Sequence, residues 1–165
     1  MARIVGIGGG VSTAALAIAR HAGALVVVTS RSAAKCSEAL AMGADAAYDS
    51  AAESWPVQAD VVVESVGPAT WEQSVRALQP GGRLVICGGT TGPKVTLNLP
   101  RLFFKQFEII GSTMGSYEEF EQVSTLVEHG LPVHVDRTFG IDDYPAALDR
   151  LEQGEQLGKI VLLHP

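Results

Sequence analysis

Short, β-branched apolar runs alternate along the first half of this chain with stretches whose apolar positions recur at helical spacing. Arg3–Ile7 predicts a strand, and Ser12–Ala22 a helix with Ala15, Leu16, Ile18 and Ala19 on one face. Leu25–Thr29, almost pure valine, predicts a second strand, followed by a helix over Ala33–Met42 that Gly43 stops. Ala46–Tyr48 reads as a short third strand, Ser50–Pro56 as a loop, and Asp60–Glu64 as a fourth strand. A helix over Ala69–Leu78, a turn at Pro80-Gly81-Gly82 and a fifth strand over Arg83–Cys87 continue the rhythm. Strands and helices alternating at this spacing build right-handed βαβ units. The expected fold is therefore α/β, a doubly wound parallel sheet with helices on both faces.

After Gly92 the rhythm changes. Val95–Leu99 reads as extended, Pro100–Lys105 as a short helix and Glu108–Ser112 as a sixth strand. Tyr117–Glu128 is amphipathic through Phe120, Val123, Leu126 and Val127. An extended His134–Phe139, a helix near Pro145–Leu151 and a last strand over Lys159–Leu163 complete the chain. The division expected is a sheet domain over residues 1–137 and a tail over 138–165.

The 165 residues suffice for one domain with a sizeable core. Hydrophobic residues make up 47% and charged ones 18%, a balance suited to a sheet covered on both faces. A net charge of −6 without any basic cluster argues against a nucleic acid or an anionic membrane as partner. No apolar run is long enough to cross a bilayer, and the first strand follows Met1 so closely that no secretory leader is expected. Cys36 and Cys87 lack a paired spacing, so reduced thiols in the cytoplasm are expected.

Chemistry enters at the first strand–helix junction, Gly6-Ile7-Gly8-Gly9-Gly10-Val11-Ser12-Thr13. Glycines let a backbone approach a pyrophosphate closely, and the following helix offers unpaired N–H groups and the positive end of its dipole. The strict GxGxxG spelling fails, because the last glycine position, counted from Gly6 or Gly8, holds Val11 or Thr13. Alone, the turn is a weak signal.

Further motifs sharpen it. Gly43-Ala44-Asp45 is followed by Asp60-Val61-Val62-Val63-Glu64-Ser65-Val66-Gly67, then by Leu78-Gln79-Pro80-Gly81-Gly82-Arg83-Leu84-Val85 and Cys87-Gly88-Gly89. Ile110-Gly111-Ser112-Thr113-Met114-Gly115 and Gly158-Lys159-Ile160-Val161-Leu162 close the series. This succession, covering essentially the whole chain, resembles the nucleotide-binding half of the medium-chain dehydrogenase/reductase superfamily, among its zinc-type alcohol dehydrogenase and quinone oxidoreductase branches. There the turn ends Gly-Gly-Val-Gly, so Ser12 stands in for the last glycine.

The resemblance implies a Rossmann fold in three αβα layers. Members also carry an N-terminal catalytic domain, to which nothing here corresponds. The chain is thus expected to be the cofactor half of an oxidoreductase that moves hydride to or from a carbonyl, quinone or enone. Its tail is expected to be the part that returns to the catalytic domain in full-length members. The isolated chain is expected to be inactive.

The resemblance and the position of each segment assign the site. The backbone of Gly6, Gly9, Gly10 and Val11 would cradle the pyrophosphate. At the end of the second strand, Ser30 replaces the acidic residue that reads the ribose of NAD. Ser30 can hydrogen-bond a 2′-phosphate, Arg31 can pair with it and Lys35 can add charge, so NADP is preferred over NAD. Val66 and Gly67 would lie near the adenosine. Cys87, Gly88, Gly89, Ser112, Thr113 and Met114 would approach the nicotinamide, and Lys159 a cofactor phosphate. Relatives commonly dimerise through the sixth-strand edge, here Glu108–Ser112 with Phe103 and Phe104 nearby.

No catalytic constellation accompanies these residues. His21, His129, His134 and His164 are scattered and lack ligand spacing with either cysteine, so no metal site is expected. The acids Glu118-Glu119 and Asp142-Asp143 sit at helix starts, where the dipole favours them. A free-standing nucleotide-binding or dimerisation module without turnover stays open as a second reading. A methyltransferase is a third, disfavoured because the ribose-binding acid is missing.

Overall fold

The computed structural model describes residues 2–4 and 6–165, the first three as backbone only. Six strands form one parallel sheet: β1 (Ala2–Ile4), β2 (Val26–Ser30), β3 (Ala46–Asp49), β4 (Ala59–Glu64), β5 (Leu78–Ile86) and β6 (Glu108–Gly111). Their order, β3-β2-β1-β4-β5-β6, is that of the doubly wound dinucleotide-binding fold. Val5, part of the expected first strand, lies outside the described residues. Ile7 continues the strand's direction and donates its N–H to Thr29 O at 2.8 Å.

Helices α1 (Gly10–His21), α2 (Ala33–Ala41) and α3 (Trp71–Arg76) connect the strands, and α4 (Leu99–Phe104) precedes β6. All five residues of β2 are buried, which explains its unbroken Val-Val-Val run: a central parallel strand has two apolar faces to satisfy. One core gathers Ile7, Leu16, Val26, Val28 and Ala39, and a second gathers Val62, Trp71, Val75, Leu78 and Leu84. Leu16 is buried as expected, whereas Ile18 faces outward.

Three expectations need correction. Pro80-Gly81-Gly82 is no turn between elements but an irregularity inside β5. Ala59 pairs with Leu78 and Val61 with Arg83, so the extra residues bulge from the ladder. Gly82 is obligatory there, since a Cβ would stand 2.8 Å from Gln79 O and 3.1 Å from Ala59 O. The helix expected over Ala69–Leu78 is shortened to α3 at both ends, because Thr70 is drawn into the loop after β4 and Leu78 into β5. Val95–Leu99, read as extended, gives up its last residue: Leu99 opens α4, which Asn98 caps by accepting the Arg101 N–H at 3.0 Å.

Helix α5 (Tyr117–Glu128) begins at a capping box in which Ser116 and Glu119 satisfy each other's backbone N–H groups. None of its residues is buried, and neither is any residue of β6. Beyond it, β7 (Val135–Gly140), α6 (Tyr144–Glu152) and β8 (Lys159–Leu163) form a separate unit, with β7 and β8 paired in parallel. The expected boundary at 137/138 falls inside β7. This unit docks through Leu157, which fills the first core beside Ile7 and Leu16, and through the Gly158 N–H, which bonds Gly8 O at 2.8 Å.

Candidate functional site

At the carboxyl ends of β1, β2 and β4 lies a crevice of about 860 Å³, where open parallel sheets bind ligands. Its floor is the glycine turn. Gly6 adopts φ +73° and packs against Val66, whose Cγ2 lies 3.0 Å from where a Gly6 Cβ would stand. Gly8 donates its N–H to Ser12 Oγ at 3.1 Å, and Ser12 Oγ donates to Gly9 O at 2.9 Å. Ser12, buried where the resemblance places a glycine, therefore staples the turn from within. The first N–H groups of α1, at Gly10 and Val11, have no acceptor inside the helix by construction.

The wall beyond β2 carries Ser30, Arg31 and Lys35. Ser30 is buried, and its Oγ accepts the Ser32 N–H at 3.1 Å. Ser32 in turn caps α2 by accepting from Lys35 N at 3.3 Å. Arg31 is exposed at the rim. Lys35 turns away from it: Nζ lies 3.1 Å from where a Gly8 Cβ would stand and donates to Gly154 O at 2.6 Å. Burial, opposed mainly by the Asp136 charge, pushes the Lys35 ammonium below its usual pKa.

A buried carboxylate shapes the end of β4. Glu64 accepts the N–H groups of Val66 at 2.7 Å and Gly67 at 3.1 Å, the Thr70 hydroxyl at 2.9 Å and the Ser74 hydroxyl at 2.5 Å. Both oxygens are satisfied without a cation, so the group orders the β4–α3 loop that carries Val66 into the crevice. Gly67, at φ +90°, fits closely against Gly89 Cα and Gly92 O. The Thr91 hydroxyl donates to Val66 O at 2.7 Å and accepts the Ala69 N–H at 3.1 Å, bringing Thr90 and Thr91 into the lining.

Of the expected residues, Gly6, Gly9, Ser30, Arg31, Lys35 and Val66 converge on the crevice. Gly10 and Val11 open α1 beside it, and Lys159 lies over Gly10 with Nζ 2.7 Å from where a Gly10 Cβ would stand. Gly67 is buried behind the lining, whereas Cys87 is half-buried and Gly88 and Gly89 are exposed, all three outside the lining. The Cys87 N–H bonds Glu64 O at 3.0 Å, and burial raises its thiol pKa. Ser112, Thr113 and Met114 follow β6 on an open surface, with Met114 90% exposed. Three groups escaped sequence reasoning: Glu64, the Thr90-Thr91 pair, and the α6–β8 turn over residues 154–156. Within that turn Gln156 Oε1 is, among the described residues, the one buried side-chain polar atom without a hydrogen-bond partner.

A smaller hollow of about 300 Å³ beside Trp55 and Arg76 lies at the amino-terminal end of β4, away from this chemistry. Among the described residues no three His, Cys, Asp or Glu side chains converge as metal ligands. Nor is any described helix long and apolar enough to cross a membrane.

A parallel sheet in this strand order, with a glycine turn opening its first helix beneath a crevice, defines a dinucleotide-binding domain of the dehydrogenase type. The family model for zinc-binding dehydrogenases matches residues 10–129. The chain belongs to that family, within the medium-chain dehydrogenase/reductase superfamily.

Among known proteins, it is 32% identical over 95% of its length to the spectinabilin polyketide synthase system protein NorB of Streptomyces orinoci, covering 8% of that protein. It is 29% identical over 96% of its length to the zinc-type alcohol dehydrogenase-like protein YogA of Leptosphaeria maculans, covering 49%. It is 27% identical over 96% of its length to acryloyl-coenzyme A reductase of Metallosphaera sedula, again covering 49%. A solved NAD-dependent alcohol dehydrogenase superposes with a TM-score of 0.89 and 32% identity, over 99% of this chain and 51% of that one. The chain thus spans about half the length of these dehydrogenase and reductase relatives.

Proposed function

We propose that the crevice binds NADP(H) and that the chain is the cofactor-binding half of an oxidoreductase. The observation carrying this reading is the end of β2, where Ser30 rather than an acid holds the strand end and Arg31 stands beside it in the crevice wall, with Glu38 further along α2. An acid there would repel a 2′-phosphate; the Ser30 hydroxyl can donate to one, and the exposed guanidinium can grip it bidentately. Gly6, Gly9, Gly10 and Val11 receive the pyrophosphate at the start of α1. Lys35 beside Gly8 and Lys159 beside Gly10 supply positive charge to the turn. The cradle fits a group that must approach backbone closely, since side chains at Gly6 or Gly8 would adopt left-handed φ values and meet Val66 or Lys35.

Val66 and Gly67 lie along the adenosine. Cys87, Gly88, Gly89, Ser112, Thr113 and Met114 carry the nicotinamide end toward the substrate side. When bound, the nicotinamide supplies or accepts hydride. The residues of this chain bind, orient and shield it; none of them is assigned proton transfer.

The substrate is a carbonyl, quinone or enone. The acryloyl-coenzyme A reductase among the relatives supports the conjugated class. Because the chain spans about half of such proteins, the substrate pocket belongs to the other half. The outer edge of β6, with Ile109 and Ile110 exposed near Phe103 and Phe104, pairs with a second copy to form a homodimer. Two free thiols accord with a reducing, cytoplasmic compartment.

Fluorescence titration tests the cofactor. NADPH should bind more tightly than NADH, and equal or tighter binding of NADH would refute the assignment. The chain alone should not turn over; steady NADPH oxidation with a quinone at roughly 1–10³ per second would mark a self-contained enzyme instead.

A further inference from the structure

Gly8-Gly9-Gly10 is the least constrained backbone a chain can carry, and ordering it on binding would subtract from affinity. In the free protein the run is already held. A trans peptide unit is planar, so fixing one carbonyl oxygen also aims the N–H of the next residue the opposite way. Gly8 O accepts the Gly158 N–H at 2.8 Å, which sets the direction of the Gly9 N–H. Gly9 O accepts the Thr13 N–H at 3.1 Å, the Thr13 hydroxyl at 3.2 Å and the Ser12 hydroxyl at 2.9 Å, which sets the direction of the Gly10 N–H.

Ser12 also holds the peptide unit before these. Its Oγ accepts the Gly8 N–H at 3.1 Å while donating to Gly9 O, so one hydroxyl ties together the two units that flank the Gly8–Gly9 peptide. Gly9, the N-cap residue of α1, has no side chain with which to cap the helix. Ser12 is 4% exposed and lies outside the crevice lining, so its hydroxyl meets backbone and not a ligand.

We propose that Ser12 is a positioning residue for a bound diphosphate, locking the glycine run so that the Gly9 and Gly10 N–H groups are aimed before the ligand arrives. This rests on the cofactor reading above. It also divides the turn: the Gly8 N–H is committed to Ser12 and takes no part in binding, whereas those of Gly9 and Gly10 do. The glycine that the resemblance places at position 12 has no hydroxyl and would leave more of this ordering to the ligand.

The test is to titrate NADPH, by calorimetry, and adenosine 2′-monophosphate, by NMR, which reads millimolar affinities, onto the wild-type chain and onto Ser12→Ala. Of the two ligands, NADPH carries a diphosphate and the monophosphate does not. The variant should bind NADPH roughly tenfold more weakly, the size of one well-made hydrogen bond, and adenosine 2′-monophosphate as tightly as wild type does. In the wild type, saturation with NADPH should move the Gly9 and Gly10 amide resonances and leave that of Gly8 in place, a measurement independent of how the variant folds. Equal NADPH affinities in the two proteins would overturn the proposal. So would equal losses for both ligands, which would make Ser12 a general support of the fold. A Gly8 amide that moves as far as those of Gly9 and Gly10 would overturn it too. Failure of either ligand to bind the wild type would instead bring down the cofactor reading on which this rests.

Discussion

Arg150 grips Asp136 through two parallel hydrogen bonds, Nε to Oδ2 at 2.6 Å and Nη2 to Oδ1 at 2.8 Å, while Oδ1 also accepts the Leu157 N–H at 3.0 Å. The pair joins β7 to α6 and to the segment entering β8. The Arg150 bonds, opposed by partial burial and helped by Leu157, hold the Asp136 carboxyl at about 2. A carboxylate whose folded pKa is depressed contributes stability above its unfolded value and loses it as pH falls through the folded one. The thermal midpoint should therefore fall between pH 3.8 and about 2, and Asp136→Asn should flatten that part of the profile. An unchanged acid limb in the variant would remove Asp136 from the account.

Glu64 should matter more to folding than to charge. Glu64→Ala strands four donors in a buried pocket and should cost roughly 2–5 kcal/mol in urea denaturation. Glu64→Gln, able to accept through one oxygen only, should cost less. Equal stability of wild type and the alanine variant would contradict the bonds drawn to Val66, Gly67, Thr70 and Ser74.

Arg31 separates the two cofactors. Arg31→Ala should weaken NADPH binding by roughly 1–3 kcal/mol, the range for hydrogen bonds to charged groups, and leave NADH almost untouched. Parallel losses for both would mean that Arg31 meets something other than the 2′-phosphate.

Self-association should appear at the β6 edge. Sedimentation equilibrium at tens of micromolar should show a dimer, and Ile109→Lys should abolish it by placing a cation among apolar groups. A clean monomer would end the dimer reading, and a dimer that survives the substitution would move the interface elsewhere.

The alternation of Val-rich runs and helical stretches made the sheet legible, because a parallel strand buried on both faces must be apolar throughout. Glycine chemistry was less legible where one dipeptide serves two geometries. Gly81-Gly82 reads as a turn from local rules, yet the long-range pairing of Ala59 with Leu78 makes it a bulge. The glycine turn was readable because its chemistry is local. The lining was not, where it depends on distant partners. Thr91 reaches the crevice through Val66 O, and Lys35 is turned from Arg31 toward Gly154, a contact that no spacing encodes. In sequence Ser12 only stands in for a glycine, and its bonds to Gly8 and Gly9 make it part of the turn.

The bond between Gly158 and Gly8 gives the site a history in time. The glycine turn leaves the ribosome about 150 residues ahead of the segment that holds it. Contacts so distant in sequence form late, after the loop between them has closed. The emerging polypeptide therefore carries its turn unsupported until that segment follows, and the finished crevice certifies that translation has passed Gly158. Shortened products that stop before Leu157 would keep much of the sheet while lacking both the core plug and the wall that closes the crevice.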